Sequence, residues 1–248
     1  MATCRLCLNE RELKNSHIIP EFFYQPLYDK KHRFHVLSTK KKRPRPMEQK
    51  GARERLLCID CETKLSKWET YAAKVFSNIA VANQNTKFFQ RTKFSITVGD
   101  IDYEKFKLFE LSVLWRASIS SHDLFKEIDL GPHEEKIRSF ICEESAPQAD
   151  YYGSIKFALT DDDDVDLSTG FIYQAEYKYV EGYRVVRLIF GGYVWLFFVS
   201  SHSKKEYFTD AFLQTDGSLD IWKRRASDLQ DVKHFVRRVM EMGREPKT

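Results

Sequence analysis

The 248-residue chain lacks an uninterrupted apolar run of the ~20 residues that a membrane-spanning helix needs. Its most apolar stretch, Val185 to Ser200, carries Arg187 and is interrupted by Gly191-Gly192. An apolar leader is lacking too, because Cys4, Arg5 and Cys7 follow Met1 almost at once. Glycine and proline are scarce, at 10 and 7 residues, which excludes collagen-like and low-complexity chains. With 42% hydrophobic and 31% charged residues, the composition is that of a folded chain rather than a disordered one. These absences point to a cytoplasmic protein that does not enter a membrane, with length for one large or two small domains.

Charge is divided unevenly. Residues 1–70 hold 16 Lys and Arg against 9 Asp and Glu, a net of +7, whereas the other 178 residues carry a net of −3. A basic first third suggests contact with a polyanion, although an ordinary solvated basic surface has the same composition. The densest run is Lys40, Lys41, Lys42, Arg43 and Arg45, with Lys50, Arg53 and Arg55 beyond it. Pro44 and Pro46 discourage helix there, so residues 30–55 read as an extended arm that could bind phosphates without reading sequence.

Only five cysteines are present, and four form two pairs: Cys4-Arg5-Leu6-Cys7 and Cys58-Ile59-Asp60-Cys61. A C-x-x-C turn aims two thiolates at one ion, and two such turns complete a four-sulfur zinc shell. Disulfides are the competing account, and they fit poorly with a leftover Cys142 and no leader. Cys142, beside Phe140 and Ile141 on an apolar helical face, reads as core.

The segment between the pairs begins Asn15-Ser16-His17-Ile18-Ile19-Pro20, a short strand ending at a fixed break. A neutral imidazole held there could take a proton from water near pH 7. A structural histidine bonded to a backbone carbonyl is the alternative that the local sequence leaves open. Glu62 follows Cys61 directly and opens an apolar-periodic helix over 62–82, with Leu65, Trp68, Ala72, Val75, Phe76 and Ile79 on one face. A carboxylate so placed suits a hard cation such as Mg²⁺, and it equally suits the positive end of a helix.

Cys-x-x-Cys, Ser-His-Ile-Ile-Pro and Cys-x-x-Cys-Glu together resemble the zinc-knuckle branch of the HNH endonucleases, over about residues 1–75. The resemblance implies a zinc-supported, treble-clef-like ββα-metal module. In it, Cys4, Cys7, Cys58 and Cys61 hold a structural Zn²⁺, His17 is the general base and Glu62 binds a catalytic Mg²⁺ or Mn²⁺. Three positions depart from the family pattern: Ser16 stands where an acidic residue is common, Glu62 where His or Asn is common, and the family's middle Asn has no clear match, Gln49 being the nearest candidate. The same run resembles bacterial sequences that continue Ser-Lys-x-Glu, here Ser66, Lys67 and Glu69, so Lys64 and Lys67 could contact phosphate. The implied partner is nucleic acid, DNA ahead of RNA, and the implied setting an anti-phage defence effector.

From about residue 100 the composition changes. Asp102 caps a helix through Ser121, and Pro132 opens another after Gly131. Strands over 153–159, 170–180, 183–190 and 193–200 are joined at Glu181-Gly182 and Gly191-Gly192, and Asp228 to Met242 reads as a closing helix. Asp161 to Asp164 reads as a solvated loop rather than a Ca²⁺ site. The expected fold is therefore α+β: a nuclease-like module over 1–95, then an α+β domain over 96–248 with an antiparallel sheet and packing helices. The second domain would serve targeting, control, a protein partner or homo-oligomer formation. A non-catalytic zinc module binding nucleic acid, or a zinc-stabilised protein-interaction module, is the alternative to the nuclease.

Overall fold

In the computed structural model, residues 1–34, 50–81, 89–165, 167, 172–199 and 208–230 are described. The chain begins with two short strands, β1 (Ala2–Thr3) and β2 (Glu10–Arg11), which pair antiparallel and flank the first cysteine turn. Next come β3 (Leu13–His17) and β4 (Arg53–Cys58), an antiparallel pair in which Leu13 faces Cys58 and His17 faces Arg53. The register shifts between Lys14 and Asn15, a bulge that re-aims the end of β3. Helix α1 (Ile59–Val81) follows without a break, three residues earlier than the sequence periodicity suggests. Its whole apolar stripe, Leu65 to Ile79, is buried.

Beyond it lie β5 (Phe89–Arg91), β6 (Ser95–Val98), α2 (Tyr103–Ile119) and α3 (Pro132–Glu143). The Asp102 side chain accepts the Lys105 N–H and caps α2, as expected, and Pro132 occupies the first turn of α3. Four strands then run in order: β7 (Ser154–Thr160), β8 (Tyr173–Val180), β9 (Tyr183–Phe190) and β10 (Tyr193–Phe198). The last described strand is β11 (Leu219–Arg225). Both expected hairpin turns form, with positive φ at Glu181, Gly182, Gly191 and Gly192.

The fold is mixed α+β. Seven strands make one sheet in the order β5-β6-β11-β7-β10-β9-β8. It is antiparallel at every pairing except one, where β11 runs parallel to β7. The expected antiparallel sheet is corrected at that point, because a strand absent from the sequence reading inserts between β6 and β7. Of the expected closing helix, residues 231–242 lie outside the described residues.

Helix α2 sits against both α1 and α3, and its Phe109 ring reaches Trp195 of the sheet at 6.4 Å. Every residue from Phe106 to Ala117 is therefore buried, the charged Lys107, Glu110 and Arg116 included. Buried charge is tolerated only when paired. Lys156 of β7 lies 2.5 Å from Glu110, and Lys107 donates to the Tyr152 carbonyl at 3.1 Å. The apolar core runs without a break from Cys4 to Ile221. Phe23, two residues after the first 3-10 turn begins, packs on Phe190 at 4.8 Å, and any side chain at Gly191 would strike its ring. Among the described residues no helix is long and apolar enough to cross a membrane.

Candidate functional site

The first cysteine turn is built by backbone bonds: Cys4 N–H donates to the Asn9 carbonyl and Leu8 N–H to the Cys4 carbonyl, both at 2.9 Å. Leu8 accepts a left-handed backbone, φ 61°, to close it. Arg5 N–H bonds the Leu56 carbonyl, and Cys58 N–H points at the Cys4 sulfur at 3.3 Å, so the turn docks on β4. Cys58 ends β4 and Cys61 lies in the first turn of α1, which brings all four sulfurs within 4.8 Å of one another. No disulfide links them. The Cys7 and Cys58 sulfurs stand 3.9 Å apart, close to the edge of about 3.8 Å expected for a tetrahedron with ~2.3 Å metal–sulfur bonds.

The thiols sit in unlike surroundings. Burial pushes Cys4 and Cys61 above the ordinary thiol range. Cys7 is opposed by burial too, but the Asn9 N–H and the neighbouring cysteines draw it down to about 7. A bound ion would deprotonate all four and relieve the crowding. The expected four-sulfur cluster is thus present, and it could hold a metal such as zinc.

The second group of side chains surrounds the end of β3. Ser16 is fully buried, and its hydroxyl donates to Glu62 in the first turn of α1. It is therefore Ser16, and not His17, that touches the carboxylate. Burial raises Glu62 above the ordinary carboxylate range, while Ser16 and the Arg116 charge work against that rise.

His17 meets a different carboxylate. Its Nε2 lies 2.5 Å from Glu21 Oε2, just past the Pro20 break, in a contact that is not an aligned hydrogen bond. Glu21 is itself held by Arg53 at 3.2 Å and by the Tyr28 hydroxyl at 3.0 Å. Burial and the Arg53 cation lower His17 below the usual histidine value, outweighing Glu21. The ring is therefore neutral near pH 7. The side chain keeps 21% of its surface exposed.

Across from these residues Arg116 of α2 donates to the His17 carbonyl and pairs with Glu69 of α1, each at 2.7 Å. Glu69 stands two helical turns beyond Glu62, on the same face. Glu21, Glu69 and Arg116 are missing from the sequence-based site. Glu21 had a signal, its position right after the His-x-x-Pro break. Glu69 is spaced seven residues from Glu62. Arg116 had none, because only the tertiary fold brings α2 to β3.

The expected phosphate contacts fare differently. Lys40, Lys41, Lys42, Arg43 and Arg45 lie outside the described residues, as does Gln49. Arg53 is in β4 rather than in a loop, paired with Glu21. Lys64 turns to α3, donating to the Cys142 carbonyl at 2.7 Å and lying 3.2 Å from Glu144. Lys50 and Lys67 are exposed. Among the described residues, the four cysteines form the only group of three or more His, Cys, Asp or Glu whose ligand atoms converge. No family model, no curated protein and no solved structure matches the chain.

Proposed function

We propose that the chain is a divalent-metal-dependent nuclease of the HNH type that hydrolyses phosphodiester bonds, DNA ahead of RNA, as a defence effector. The observation that carries this reading is the His17–Glu21 pair at the end of a strand that faces a cysteine-anchored strand and helix. A neutral imidazole backed by a carboxylate is a general base. His17 would take the proton of the attacking water, and Glu21, steadied by Arg53 and Tyr28, would offset the charge the ring gains. The cysteine cluster would be structural, since a closed four-sulfur shell leaves no open position.

Glu62 would hold the second ion. One carboxylate suffices for Mg²⁺ when substrate phosphates and water complete its oxygen shell. Such an ion would supply charge relief at the phosphoryl oxygens. The basic first third, net +7 over residues 1–70, supports a polyanionic substrate.

One observation favours a non-catalytic nucleic-acid-binding module instead: Glu62 is already bonded to Ser16, and no third ligand converges on it among the described residues. Cleavage of plasmid DNA and structured RNA with Mg²⁺ or Mn²⁺, by wild type beside His17→Ala, separates the two. A loss of about 10²-fold or more in a variant that keeps its zinc and fold is expected. Salt-sensitive binding with no cutting by either protein would favour the binding module.

A further inference from the structure

Arg116 is buried, with 2% of its side chain exposed, and 99 residues separate it from His17. A guanidinium in such a place must have its donors matched. Its Nε serves its own helix, donating to the Ser112 carbonyl at 3.2 Å. Nη2 also donates to the Ser112 hydroxyl at 3.5 Å, but two contacts reach beyond the helix: Nη1 to the His17 carbonyl, a hydrogen bond, and Nη2 to Glu69, an ion pair. These partners lie on the strand that carries the imidazole and the helix that carries Glu62.

The bond to His17 acts on one peptide unit. That unit's carbonyl is held by Arg116, and its N–H, on Ile18, donates to the Ala52 carbonyl at 3.0 Å. With both ends of a planar group fixed, the backbone rotation at His17 is fixed as well. Pro20 stiffens the chain two residues on. We propose that Arg116 is a positioning residue for the His17 base, clamping the end of β3 to α1 through Glu69 so that the imidazole stands in one place. Its effect on cleavage rests on the nuclease reading above; the clamp itself does not.

The charged groups facing His17 are Glu21 from the turn after β3, Arg53 from β4, Glu69 from α1 and Arg116 from α2. Removing Arg116 alone takes away a cation and leaves Glu69 unbalanced, so His17 should bind its proton more readily. The test uses the full, zinc-loaded chain, following the His17 ring by NMR titration and DNA cleavage with Mn²⁺ in parallel. In R116Q the His17 pKa should rise, and kcat should fall about 100-fold with KM within twofold, the scale of a misplaced reacting group. R116K, which keeps the charge, should restore part of both.

If R116Q fails to fold, the double variant E69Q/R116M, in which the removed charges cancel, should keep its zinc, shift the His17 ring resonances and lose the same factor in kcat. A folded variant of either kind with wild-type His17 resonances and wild-type cleavage overturns the proposal. Absence of cutting by wild type would sink the nuclease reading instead. The His17 ring resonances of the charge-cancelling E69Q/R116M variant would then decide the clamp alone: shifted resonances in the folded variant support it and wild-type resonances overturn it.

Discussion

Glu21 is the residue on which the imidazole depends most directly. Its negative charge is the largest influence holding the His17 proton on, so Glu21→Gln should lower the His17 pKa further. Cleavage should fall about tenfold to hundredfold, since the ring loses its orienting carboxylate. Because folding already lowers His17, the folded state takes that proton less readily than the unfolded chain does. The stability linked to this residue is fully present above about pH 6.5 and declines as the pH falls below it. Urea unfolding of wild type and His17→Gln between pH 7.5 and pH 5 should show a wild-type decline that the variant lacks. At this scale the sequence was legible where spacing alone carries the chemistry. Four cysteines in two short turns announce a cluster that could hold one ion, which the four converging sulfurs match. It was silent on Arg116 and on the role of Glu69, whose partners are set by how helices pack.

Between elements, a few contacts tie the β3–β4–α1 unit to the rest of the fold. Glu54 of β4 accepts three bonds beyond the end of α2, from the Ser120 hydroxyl and from the Ser121 N–H and hydroxyl, at 2.8 to 2.9 Å. Glu54→Ala should cost about 1.5–3 kcal/mol in urea unfolding, the range for hydrogen bonds to a charged group. Gly51 lies just before β4, where a Cβ would stand 2.4 Å from the buried Tyr24 ring. Gly51→Ala should lose about 1–3 kcal/mol by overpacking. Elements with a strong period were readable: the α1 stripe, the Asp102 cap and the glycine-turned hairpins. Strand β11 was not, because Asp220, Lys223, Arg224 and Arg225 leave it no apolar run, and its place in the sheet comes from neighbours distant in sequence. Strands β5 and β6, three and four residues long, carry too few positions to show a period.

Over the whole molecule, two anchors should carry a large share of the stability. One is the Lys156–Glu110 pair, where Lys156→Met alone should cost about 3–5 kcal/mol by stranding a buried carboxylate. Replacing both partners with apolar residues should recover most of that loss, as urea unfolding of the single and double variants would show. The other anchor is the cysteine cluster. Arg138 of α3 donates to the Leu6 carbonyl inside the first cysteine turn at 2.5 Å, and Lys64 reaches the end of the same helix. Stripping the metal should therefore lower the unfolding temperature of the whole chain in one transition. Far-ultraviolet dichroism and tryptophan fluorescence, recorded with and without a zinc chelator, should move together.

The place of β11 also sets an order for synthesis. The cysteine cluster has all its ligands once residue 61 has left the ribosome, and β7, β9 and β10 can pair as soon as residue 198 is out. The β5–β6 hairpin cannot join them until Leu219–Arg225 arrives to lie between it and β7. A nascent chain stalled before that point leaves β6 and β7 each with an open strand edge, an arrangement prone to pairing with the wrong chain.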